Sequence, residues 1–191
     1  SRRLATLQLP LVAGGLVGFA ACLLAGRLTW TPAFAASMLA GFWLFAYNVG
    51  RSLLAAGEFD ATERRFALAL AFFVLVTLLG LLLAVDFATG VLGSLAVPRS
   101  RVVAAHATLA VFGAVLLTVV GALYQLGTVF TQTDLHRFGR TVRRVEGVAL
   151  PVGVLALAGG RLLASRTVAA VGGLLVVLSV AGVAAVLGRK I

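Results

Sequence analysis

The stretch Phe66–Phe87, FALALAFFVLVTLLGLLLAVDF, decides the fold. It carries no charge until Asp86, next to its end. Its apolar residues neither alternate with polar ones nor pause for a turn, so no face of it suits water. The hydrocarbon core of a bilayer is about 30 Å thick and a helix rises about 1.5 Å per residue, so roughly 20 such residues cross it. Five further stretches read the same way: 9–26, 32–50, 102–130, 145–163 and 167–187. Pro32 suits a helix start, where its missing N–H costs nothing. In hydrocarbon every backbone polar group needs an internal partner, which leaves helices and closed barrels. The runs lack the alternating polarity of barrel strands. The expected fold class is all-α: a polytopic membrane helix bundle of about six transmembrane helices, with residues 1–191 forming one transmembrane domain.

Composition agrees. The chain is 61% hydrophobic and 12% charged, against about half and about a quarter in soluble domains. A soluble fold of this size lacks the interior to hide so much apolar surface. The net charge of +10 would point to nucleic acid on a soluble domain. Here the bases sit in short gaps between apolar runs, as topology signals do, and they favour anionic lipid headgroups. Nucleic acid is therefore excluded as a partner. One side collects Arg2, Arg3, Arg51, Arg64, Arg65, Arg137, Arg140, Arg143, Arg144, Arg189 and Lys190. The other has Arg27, Arg99, Arg101, Arg161 and Arg166. This asymmetry predicts a multi-pass protein of the cell membrane with both termini cytoplasmic (N-in/C-in). Arg2 and Arg3 before an apolar stretch, with Ala33-Phe34-Ala35 beyond, have the look of a secretory signal. The stretch is longer than a usual signal core and reads as a retained first span. The outer connection 88–101 is expected to form a small cap. Gly14 and Gly18 make a GxxxG pair, read as tight packing within the bundle. The expected partners are the lipid bilayer and either partner membrane subunits or further copies of the chain.

Little in the spans can carry chemistry. His106 stands about one turn inside the outer end of the fourth span, and ionisable groups there are uncommon and often functional. Helical periodicity places Ala110, Gly113, Leu117, Gly121 and Tyr124 on its face, a furrow shallow enough for a close helix or a flat cofactor such as haem. Asp86 ends the third span near Arg99 and Arg101, and an ion pair there is the expected arrangement. Tyr47, Asn48, Tyr124 and Gln125 fall at inner helix ends, as an aromatic belt or a quinone headgroup site would. Asp60 and Glu63 are spaced for a capping box on the third helix. Arg137, Arg140, Arg143 and Arg144 share one helical face suited to lipid phosphates or an acidic partner. Cys22 is the single cysteine, so no intrachain disulfide forms. No P-loop, GxSxG or HExxH is present, which leaves hydrolytic and nucleotide-driven readings without support.

The segment Arg101–Thr133, RVVAAHATLAVFGAVLLTVVGALYQLGTVFTQT, resembles the second helix of haem-copper oxidase subunit I. In style it is nearest to the C-type oxidases, the nitric oxide reductases and their short relatives. The family helix starts at the outer face with a basic residue, places a histidine within two turns, and continues through small residues to an aromatic cytoplasmic end. The resemblance implies a respiratory-chain electron-transport role, with His106 as an axial ligand of haem b and Gly113, Gly121 and Tyr124 beside it. The likeness covers this one helix. The several further histidines that the family's copper and second haem require are missing, so this chain cannot house an oxygen-reducing centre, and whether it is an enzyme stays open. His136 lies about 30 residues on, roughly 45 Å along a helix, on the opposite side of the membrane. Met38 and Cys22 lie near the depth of His106. His/Met ligation suits a b-type haem, and a His106, Met38 and Cys22 set would suit Cu(I) as a metal site. The alternatives are a non-catalytic accessory or scaffold subunit and, more weakly, a small transporter. Against the transporter, the spans carry almost no charge and show no pair of broken helices.

Overall fold

A computed structural model of the chain describes residues 2–55, 61–131 and 137–188. Helix α1 is Arg2–Leu24, and a 3₁₀ turn, Leu28–Trp30, leads into α2, Thr31–Ala55. Helix α3 is Ala61–Thr89, and α4 is the short turn Val91–Ser94. The fourth span comprises α5 (Arg99–Thr108), a π-helical stretch (Leu109–Leu116) and α6 (Leu117–Thr131). Helices α7, Arg137–Leu162, and α8, Arg166–Gly188, complete the chain. Among the described residues, six helices are long and apolar enough to cross a membrane. Apolar side chains such as Leu16, Val115, Leu155 and Val177 stand exposed along them, as a lipid-facing surface requires. His136 and the Asp60 cap lie outside the described residues.

The helices run past the apolar stretches at several ends. Helix α3 begins at Ala61, and α7 already includes Arg137–Arg144. Hydropathy marks only what lipid solvates, whereas a helix continues while its backbone bonds are made and arginine stems reach back along its surface. The expected cap over 88–101 is the single turn α4, entered through Gly90 at φ +67.

Two tight hairpins flank a central pair. Helix α1 packs on α2, and α7 on α8; α3 and the fourth span lie between them. Small residues set the closest approaches. A Cβ on Gly172 would stand 2.3 Å from the Leu157 amide nitrogen, so α7 and α8 meet backbone to backbone. On α1, Gly15 and Gly18 face Met38 and Phe34, while Gly14 of the expected GxxxG pair meets nothing. Polar ties supplement this packing. The fully buried Thr31 hydroxyl donates to the Ala84 carbonyl (3.0 Å), and the Trp43 indole donates to the Thr77 hydroxyl (3.1 Å), pinning α2 to α3. The Arg161 guanidinium donates to the Thr108 hydroxyl (2.7 Å), joining α7 to α5.

The π stretch answers a sequence problem. Buried positions of the fourth span recur as Ala105, Leu109, Gly113, Leu117 and Gly121, each four apart. In an α-helix a four-residue step overshoots a turn by about 40°, so that series would wind off the packed face. Bonds of the i→i+5 kind take more residues into each turn and hold the series against its neighbours.

Charge enters the spans near their ends. Arg65 and Glu146 form an ion pair between α3 and α7, each side chain only 3% exposed. Asp86 pairs with Arg99, as its position at the end of the third span led one to expect.

Candidate functional site

His106 leaves α5 toward α3 and crosses it at Gly80. A Cβ on Gly80 would lie 3.3 Å from His106 Cε1, so a glycine at this crossing leaves room for the ring. The Val76 backbone, one turn earlier on α3, lies close enough to interact with the imidazole. Buried Nδ1 nevertheless completes no hydrogen bond. Beyond Gly80 the ring borders a cavity of about 460 Å³ between α3 and the α1–α2 hairpin. Met38 lines the same cavity, with Phe19, Phe42, Phe73 and Phe87 in its walls and Thr77 as a polar neighbour.

The structure thus brings His106 and Met38 to one apolar chamber. The other expected residues are elsewhere. Cys22 is buried at the end of α1 and does not line the chamber. The furrow on the fourth span is occupied by a close helix, α3, one of the two occupants its shape allowed. The Phe72 ring fills the hollow at Gly113, where an added Cβ would stand 2.7 Å from it, and Arg65 and Phe66 cover Gly121. Tyr124 is buried against Arg65, whose guanidinium carbon lies 4.7 Å from the ring centroid. Gly113, Gly121 and Tyr124 therefore pack the bundle rather than wall the chamber. All of these positions face α3, His106 at Gly80, Gly113 at Phe72 and Gly121 at Arg65 and Phe66, and their distance along the helix is what sets the last two apart from the chamber.

The residue that sequence reading passed over is Glu146. It accepts from Arg65, which also donates to the Arg143 carbonyl (3.0 Å). Tyr124 shares in this group through the Glu146 carboxylate. The available signal was an acid within RRVEGVAL, a few residues into an apolar run. Its meaning depended on Arg65, 81 positions away. At the other end of the bundle, Asp86 receives the Leu92 amide (2.7 Å) and Arg99 Nε (2.6 Å), which ties α4 and the start of α5 to α3.

Among the described residues, no group of three or more His, Cys, Asp or Glu side chains is placed to hold a metal ion. Comparison with protein-family models, curated proteins and solved structures gives no match.

Proposed function

We propose that this chain is a haem b-binding electron-transfer subunit of the cell membrane, with both termini cytoplasmic, His106 as an axial ligand and Met38 as the candidate second ligand. One observation carries the reading: the His106 imidazole and the Met38 thioether line one apolar, phenylalanine-walled chamber. The residues fit the group. Histidine and methionine are accepted axial donors of b- and c-type iron. The chamber volume falls within the range of about 300–1,000 Å³ usual for cofactor sites. The aromatic walls supply apolar contact to a flat macrocycle and shield it from water. The Val76 backbone is suited to hold one ring nitrogen of His106, which fixes the tautomer and leaves the other nitrogen for the metal. Bound there, the group would supply one-electron transfer within the membrane. The resemblance of Arg101–Thr133 to the haem-bearing helix of haem-copper oxidases supports the same assignment. Partner subunits that deliver or accept the electron are part of this proposal, because the chain lacks the donors for a reduction centre.

The test is optical. Protein produced with haem available and purified in mild detergent is expected to show a Soret band that shifts on reduction. His106→Ala should abolish it, and Met38→Leu should move it. A wild-type spectrum without a band, or an unchanged band in His106→Ala, sinks the proposal. The second reading is a non-catalytic accessory subunit. It is favoured by α3 filling the furrow at Gly113 and Gly121, and it predicts no band in any variant. Copper analysis of the same samples tests the Cu(I) alternative.

A further inference from the structure

We infer that the arginine-lined hollow between the first turns of α3 and α7 binds the phosphate-bearing headgroup of an anionic phospholipid. Its volume is about 430 Å³, and Arg64, Arg65, Arg140, Arg143 and Arg144 line it with Leu68, Gly147 and Val148. No carboxylate residue is in that lining. The five bases do not play one part. Arg65 is committed to Glu146, the Arg143 carbonyl and the Tyr124 face, and forms the floor. Arg64 and Arg144 form no ion pair with a carboxylate among the described residues, and Arg143, although its charge reaches Glu146, is not in ion-pair contact with it.

Gathering guanidinium groups around one hollow is electrostatically costly unless an anion is present, because like charges repel within a few ångströms. Guanidinium donors come as a planar fork that matches phosphate oxygens two at a time. The position selects the anion. Arg64 and Arg140 lie at the starts of the apolar parts of α3 and α7, where lipid headgroups sit. Leu68 and Val148 follow about one turn and two turns farther along their helices, and both are exposed. The site is thus cationic at headgroup depth and apolar toward the bilayer centre, which matches a phosphate joined to acyl chains. A free phosphate would use the arginines and leave the apolar strip without a role. This inference is independent of the haem assignment, which concerns the other end of α3.

The experiment uses the full chain in detergent, with lipid retention read by native mass spectrometry and thermal unfolding recorded in parallel. Dioleoyl phosphatidylglycerol should be retained and should raise Tm, while dioleoyl phosphatidylcholine should do neither. Raising the salt concentration should weaken the wild-type response, a check that needs no variant. Arg64→Gln/Arg143→Gln/Arg144→Gln should lower phosphatidylglycerol affinity on the order of 100-fold, taking about 1 kcal/mol per surface arginine. Arg101→Gln/Arg166→Gln, at other positions, should leave it unchanged. Equal retention of the two lipids, or an unchanged affinity in the triple variant, overturns the inference. A Tm rise with inorganic phosphate alone that matches the lipid's would assign the site to soluble phosphate and overturn the lipid assignment.

Discussion

Glu146 is only 2% exposed, and its carboxylate is held by Arg65 and Tyr124. A buried pair of this kind adds little net stability, because desolvation offsets most of the attraction; losing one partner strands the other charge at a cost of about 3–5 kcal/mol. Glu146→Ala should therefore destabilise the protein by about that much. Arg65→Met/Glu146→Leu, which removes both charges and keeps the volume, should cost far less. Denaturant unfolding in detergent micelles measures both, and a double variant as damaged as the single would refute the account.

At the scale of elements, the α7–α8 hairpin depends on glycines at particular places. A Cβ at Gly172 would meet α7 backbone atoms at 2.3–2.8 Å, whereas one at Gly173 would meet only Leu157 Cδ1 at 3.9 Å. Alanine is the better helix former by about 1 kcal/mol, so Gly173→Ala should be neutral or stabilising. Gly172→Ala should cost about 1–3 kcal/mol, because two backbones must move apart to admit the methyl group. The order of the two Tm values decides the matter, and the reverse order would show that the hairpin is looser than described. The π stretch is the other element-scale device. A straight α-helix would keep His106, Gly113 and Tyr124 near one face, and that periodicity is what the sequence offers. In the structure the widened turns keep all three against α3, His106 at Gly80, Gly113 at Phe72 and Tyr124 at Arg65.

For the whole molecule, the distribution of Lys and Arg predicts which ends face the cytoplasm. With Cys22 replaced by serine, a Ser94→Cys reporter should react with an impermeant maleimide on intact cells. A Ser52→Cys reporter should react only after permeabilisation. Both positions are exposed in the fold, so burial would not mask the answer, and the opposite labelling pattern would invert the proposed orientation.

The sequence by itself determined that the chain is a bundle of six membrane-length helices and roughly where each begins, and it offered His106, Met38 and Cys22 as candidate donors. Solvation by lipid depends on the composition of each segment taken alone, and such local sums can be read from a single chain. The sequence left open what fills the furrow beside His106 and gave Glu146 no visible role. Those outcomes belong to tertiary packing. Phe72 reaches Gly113, Arg65 reaches Glu146 and Gly80 admits the imidazole only because α3 is wedged between two hairpins. Which distant side chains meet depends on shape and winding across helices, which no single segment encodes.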